Sequence, residues 1–149
     1  MDESVFRRTR EELTPRPCAF EKAMFAGIGA CSLAVRRNIA ERESIGCGSP
    51  PAREACAALC ALLRQKSAFA LRLTHVDEPL PHAREMQVEC GGLWGMQQTL
   101  EAQELPAIAD VHGLVRSCVA KYGGIANLPY STIVQSIVAY KIRRRRKEG

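Results

Sequence analysis

Aromatic side chains are scarce here: one Trp, three Tyr and four Phe in 149 residues. The core must therefore be built from Ala, Leu, Ile, Val and Met. An interleaved set of rings that could stack on nucleic-acid bases is missing. Long apolar runs are missing too. The longest, Ala23 to Val35, is broken by Gly27 and Gly29 and falls short of the roughly 20 residues a membrane-spanning helix needs. Phosphate-cradling glycine loops of the G-x-x-x-x-G-K and G-x-G-x-x-G types are absent, and Gly27-Ile28-Gly29 follows no strand pattern. The opening Met-Asp-Glu-Ser-Val-Phe-Arg-Arg is not a secretory pattern. C-x-x-C pairs are absent as well, which sets aside a zinc ribbon and a ferredoxin-type run.

What is present is ordinary for a folded domain: 46% hydrophobic and 25% charged residues, at a length that suits one core. The excess of Arg over Lys and the abundant Ala point to a GC-rich bacterial genome. The chain is expected to be soluble and cytoplasmic. The net charge of +5 sits largely in Arg143, Arg144, Arg145, Arg146 and Lys147, so it does not describe one broad basic face.

The pattern divides into an N-terminal arm (1–17), a helical cysteine-containing domain (18–142) and a basic C-terminal tail (143–149). Phe20, Met24, Ile28, Cys31, Val35 and Ile39 recur at helical spacing and predict a first helix over Ala19–Glu43. Ser49 as N-cap and prolines at the first turn open a second, over Pro51–Phe69. Thr74–Glu89 reads as irregular, Met86–Cys90 as a short strand, and Cys90-Gly91-Gly92 as a turn before a short helix over Leu93–Gln103. Pro106 opens another helix, which Gly123-Gly124 stops. The last begins near Ser131. The expected fold is mostly α: one bundle-like domain of four or five helices with at most one short strand pair.

Seven cysteines stand out. An odd count in a reducing compartment fits disulfides poorly. Either the thiols are buried as small apolar groups or several of them hold a metal or cluster. An iron–sulfur cluster needs several converging thiolates with backbone N–H groups close to its sulfurs. Cys18, Cys47, Cys56 and Cys90 lie in loops or near helix starts and suit that role. Cys31 falls mid-helix, Cys60 one turn past Cys56, and Cys118 on an apolar stripe. One difficulty is geometric: in a straight helix Cys18 and Cys31 would stand about 19 Å apart. Both reach one centre only if the chain bends back, and Gly27 and Gly29 are where it could.

The stretches Cys18-Ala19-Phe20-Glu21-Lys22-Ala23, Cys31-Ser32-Leu33-Ala34, Ala40-Glu41-Arg42-Glu43 with Cys47 and Ser49-Pro50, Leu80-Pro81-His82-Ala83 and Cys90-Gly91-Gly92-Leu93 resemble small, poorly characterised bacterial proteins associated with redox and nitrogen-fixation genes. The resemblance spans about the first hundred residues. It implies an iron–sulfur cluster, here expected to be [4Fe–4S], on Cys18, Cys31, Cys47 and Cys56, in a protein that serves an electron-transfer complex; by position, Cys90 and Cys60 come next as ligands. The basic tail Arg143–Lys147 would dock it to a protein partner, at the cytoplasmic face of a membrane complex.

Two other readings compete. One is a cofactor-free interaction or regulatory module whose basic C-terminal helix binds an acidic partner or nucleic acid. The other is a zinc-stabilised domain using Cys47 and Cys56 with His75 or His82. A Cys90 nucleophile with His82 as its base has no supporting motif. No small-molecule substrate is predicted.

Overall fold

The computed structural model of the chain describes residues 3–14, 16–75, 79–101 and 107–141. Within them the protein is mostly helical, as the composition and periodicity lead one to expect. Helix α1 covers Glu3–Leu13 and α2 Glu21–Phe25, and a hairpin of β1 (Ala34–Ile39) and β2 (Arg42–Cys47) follows. Next come α3 (Pro50–Leu71), α4 (His82–Leu100), α5 (Val111–Tyr122) and α6 (Tyr130–Ala139), with a single 3-10 turn at Ile125–Asn127 before α6. No helix among the described residues is long and apolar enough to cross a membrane.

The core centres on the last four helices and takes in Phe20, Ala23 and Met24 around α2, Ile45 of β2 and Ile108. Leu59 and Leu63 of α3, Leu93 and Met96 of α4, Val115 of α5, and Ile133 and Ile137 of α6 are all buried. Each such side chain contributes about 1.5–3 kcal/mol on leaving water. The closest approach joins α4 to α6. A Cβ on Gly91 would stand 2.6 Å from the Ile137 Cα, and one on Gly95 would stand 3.1 Å from the Ile133 Cα. These two glycines lie one turn apart and let the two backbones pack almost directly on each other. Buried Gln87 ties the same helices by donating from Nε2 to the Ile137 carbonyl at 3.0 Å.

The first half of the chain departs from the helical pattern. The predicted helix over Ala19–Glu43 is not there. Helix α2 ends at Phe25, Gly27 turns the chain at φ +77°, and residues 34–47 form an antiparallel hairpin with Ala34 opposite Cys47 and Ile39 opposite Arg42. Ala40, at φ 57°, supplies the left-handed conformation of its two-residue turn. The apolar positions 20 to 39 fit a helical period by coincidence. Glycines at 27 and 29 and pairing with distant segments override it. Gly29 bridges Ile108, with Ile108 donating to the Ile28 carbonyl at 2.9 Å and Ala30 to the Ile108 carbonyl at 3.0 Å.

Other boundaries shift too. The arm contains α1. Met86–Cys90 and Cys90-Gly91-Gly92 are neither strand nor turn but the middle of α4, where the glycines serve packing rather than reversal. The fifth helix starts at Val111, with Asp110 as its N-cap residue, and the expected start at Pro106 lies outside the described residues. Ser49 does cap α3, its Oγ accepting from the Ala52 N–H at 3.3 Å, and Gly123 ends α5 in the left-handed region at φ 88°. The basic run Arg143–Lys147 also lies outside the described residues.

Candidate functional site

Backbone pairing brings the Cys18 and Cys47 segments side by side. Residues 16–18 run along β2 as a partial third strand. The Cys47 N–H donates to the Arg16 carbonyl at 3.0 Å, the Cys18 N–H donates to the Ile45 carbonyl at 2.9 Å, and Pro17 bridges Gly46. Residues 18, 45 and 47 therefore share a sheet face, because directly opposed residues point the same way and side chains alternate along a strand. A buried-edge role suits Pro17, which has no N–H to leave unpaired. Glu21 fastens the arrangement: one carboxylate oxygen accepts from Arg10 at 2.6 Å and the other from the Ile45 N–H at 3.0 Å.

Cys31 arrives from the opposite side. The chain reverses at Gly27 and is clamped by the segment before α5. The carboxylate of Asp110 accepts from the Ser32 N–H at 2.9 Å and from the Ser32 hydroxyl at 3.1 Å. The Val111 N–H donates to the Ala30 carbonyl at 2.8 Å. These bonds hold the Asp110 carboxyl below its ordinary value, with the Ser32 N–H as the main cause. Cys56 comes from the second turn of α3, just past the Ser49 cap. The Cys47 thiol points toward that helix start and donates to the Ser49 carbonyl at 3.3 Å.

Electrostatics connects the four thiols. Burial pushes the Cys18 thiol up to about 11, and nearby Cys31, Cys47 and Glu89 add to the rise, while the Phe20 N–H at its sulfur opposes it. Burial pushes Cys56 up to about 12, with Cys18, Cys31 and Cys47 adding to it. Cys18 and Cys56 thus each feel Cys31 and Cys47, and buried Cys60 feels Cys56 and Cys18 in turn. All four are half-buried. At neutral pH Cys18 and Cys56 are thiols, not thiolates, so neither is a ready nucleophile. Gathering four thiolates here requires positive charge between them, which a metal centre supplies.

The remaining cysteines differ in kind. Cys60, Cys90 and Cys118 are buried. Cys60 donates to the Ala19 carbonyl at 3.5 Å, Cys118 approaches the Met96 carbonyl at 3.9 Å, and Tyr140 bonds Cys90. Burial is the first cause that raises the thiol in each. Cys90 does not precede a loop as its Gly-Gly neighbours suggest, since all three residues face the helical core.

The two histidines considered as zinc ligands are held on other elements. His82 opens α4 and lies 2.7 Å from the Lys22 ammonium through Nδ1, and His75 is exposed beyond α3. Among the described residues no three His, Cys, Asp or Glu side chains converge tightly enough to share one metal ion. Sulfurs around a single zinc would stand about 4 Å apart, whereas a [4Fe–4S] cluster spreads its four thiolates over separate irons.

Two residues escaped the sequence reading. Glu89 of α4 is buried, accepts from the Ala23 N–H at 3.2 Å and is pushed up to about 7, chiefly by burial. Its placement within a predicted strand concealed it. Asp110 had a usable signal, an N-cap residue type directly before a helix, but the Pro106 start displaced that reading. Comparison with protein families, curated proteins and solved structures found no match to this chain.

Proposed function

We propose that Cys18, Cys31, Cys47 and Cys56 bind a [4Fe–4S] cluster and that the protein carries electrons as a subunit of a bacterial redox complex. The observation that carries this reading is the sorting of the cysteines. Cys18 and Cys56 each feel Cys31 and Cys47, and all four are half-buried on separate chain segments. Cys90 and Cys118, by contrast, are buried away from them, and Cys60, though it feels Cys18 and Cys56, is fully buried in the core. Burying one thiol in a core costs little. Cys18, Cys31 and Cys56 also pack against the core, but thiols gathered this closely oppose one another's ionisation, a cost that packing alone does not require.

The donor set suits the group. Each thiol is held by a segment with its own anchors: residues 16–18 by β2, Cys31 by Asp110, Cys47 by the hairpin, and Cys56 by α3. The Phe20 N–H at the Cys18 sulfur is the kind of donor that tunes a cluster's potential. Bound here, the group would supply one-electron chemistry, and the chain would position and screen it.

The test is anaerobic purification or reconstitution, followed by absorbance near 400 nm and iron and sulfide analysis. About four irons and four sulfides per chain are expected, together with a paramagnetic signal on reduction. Serine at any of the four positions should abolish or strongly lower the iron content, while Cys118→Ser should keep it. A folded, colourless, iron-free protein after reconstitution would overturn the proposal, and one zinc per chain without a chromophore would replace it with the zinc reading.

A further inference from the structure

Beside Cys47 lies a cavity of about 150 Å³ lined by residues that include Leu13, Thr14, Arg16, Val35, Arg37 and Cys47. Its charge is unbalanced. Three nearby arginines are already matched: Arg10 to Glu21, Arg36 to Glu43 and Arg42 to Glu3. Arg16 and Arg37 are exposed and neither guanidinium pairs with a carboxylate among the described residues. The groove between them also carries apolar surface, since Leu13 and Val35 are 44% and 39% exposed.

We propose that this groove docks the acidic surface of a redox protein partner, seating one or two of its carboxylates between Arg16 and Arg37. Guanidinium groups match carboxylates in paired, planar hydrogen bonds. The groove is open to solvent, so a carboxylate on a partner's surface can reach it. Arginine beside exposed aliphatic side chains is the composition of a protein interface. Nucleic acid fits less well, because the lining holds no ring for a base to stack on.

The inference rests on the cluster reading for its purpose. Cys47 borders the groove and belongs to the four-thiol set, its side chain on the sheet face opposite that of Val35 and Arg37, so a partner seated here would lie one strand thickness from a ligand of the centre. The docking geometry itself does not need the cluster. This placement differs from the sequence-based expectation that the 143–149 tail does the docking.

The experiment titrates isotopically labelled full-length protein, with and without iron, with a hexaglutamate peptide at low ionic strength, following backbone amide shifts. Saturable shifts at Arg16, Val35, Arg37 and Gly46–Gly48 are expected. Salt should weaken them, and the Arg16→Glu/Arg37→Glu double variant should bind at least tenfold more weakly. Arg16→Ala/Arg37→Ala provides the same comparison without added negative charge, and removal of residues 142–149 should leave the groove shifts in place. Unchanged binding by both double variants, or shifts confined to other surfaces, would overturn the inference. So would a duplex oligonucleotide that displaces the peptide from the groove and binds there more tightly. Iron analysis of the double variants separates the two proposals. Lost peptide binding with full iron supports the groove alone, and a chain that takes up no iron yet binds peptide at these residues defeats only the cluster.

Discussion

Between α4 and α6, side chains have been removed so that two backbones can meet; between the hairpin and α3, half-buried cysteines on short separate segments lie against the edge of the core. The first region is held by close contact. Gly91 and Gly95 offer no Cβ, and the neighbouring backbone occupies the space. The second is held by directional bonds from short, irregular segments: residues 16–18 to β2, Ser32 to Asp110, Ser49 to the start of α3. Contact of the first kind is intolerant of added volume and indifferent to pH. Bonds of the second kind tolerate small changes of shape but depend on particular donors and acceptors. The helical region thus acts as a fixed platform, and the cysteine end presents loops whose positions can be set individually.

Adding volume at the platform is the most severe way to test this. Gly91→Val would drive atoms into the Ile137 backbone, which cannot move aside as a flexible side-chain tip could. A loss of about 3 kcal/mol or more is expected in urea unfolding. Gly92→Ala meets Leu63 Cδ1 at 2.8 Å, the end of a side chain that can rotate, and should cost about 1 kcal/mol. Equal losses at the two positions would mean that α4 and α6 are not in the contact described.

Glu89 lies on the boundary between the two regions. Its folded value of about 7 stands above the ordinary 4.5, so folding favours the protonated form. The sign follows: the stabilising effect of protonation is complete below about pH 4.5 and is lost as pH rises to about 7. The loss approaches 3 kcal/mol at about 1.4 kcal/mol per unit. Glu89→Gln keeps an acceptor for the Ala23 N–H and removes the titration. Its unfolding free energy should stay flat across that interval and exceed the parent's at pH 8. A parent protein with the same stability at pH 4.5 and pH 8 would show that Glu89 is not buried as a carboxyl.

The platform was the easier region to read from sequence. Helices α3, α5 and α6 carry their own stops and starts, Ser49 and Gly123 among them, and their apolar positions recur over enough turns to fix the period. The predicted mostly helical domain with at most one short strand pair matches the class observed, with six helices among the described residues where four or five were expected. The strand pair lies elsewhere than expected, because residues 34–47 take their form from partners distant along the chain: Arg16 and Cys18 on one side of β2, Ile108 and Asp110 beside residues 28–32. Local periodicity carries no trace of those pairings. Gly27 and Gly29 were the exception. The need to bring Cys18 and Cys31 together pointed to a bend there, and Gly27 turns the chain. The glycines of α4 misled in the opposite direction, since Gly-Gly looks the same in sequence whether it reverses a chain or admits another backbone.

Asp110→Ala tests the directional bonds. It removes two hydrogen bonds to Ser32 near the surface, and a loss of about 1–2 kcal/mol is expected. Hydrogen exchange should rise in residues 28–33 while the amides of α4 and α6 keep their protection. Asp110→Asn, which retains one acceptor oxygen, should lose less. Uniform loss of protection through the helices would show that the Cys31 segment and the platform unfold as one unit, and the contrast between the two regions would fail.

The smallest expected effect on stability falls at the thiols themselves. Cys56 is half-buried on α3, and serine there keeps the size and the helix with little change in contacts, so Cys56→Ser should shift the iron-free chain by less than about 1 kcal/mol. Cys118→Ser places a hydroxyl inside the platform at a fully buried site and should cost more, about 1–2 kcal/mol. Iron binding should rank the two variants the other way, with Cys56→Ser losing the metal and Cys118→Ser keeping it. A side chain that contributes little to the fold yet decides whether iron is held has been retained for its chemistry. If the two variants fell in the same order by both measurements, the sulfur of Cys56 would be one more core thiol, and the gathering of four would have no consequence beyond packing.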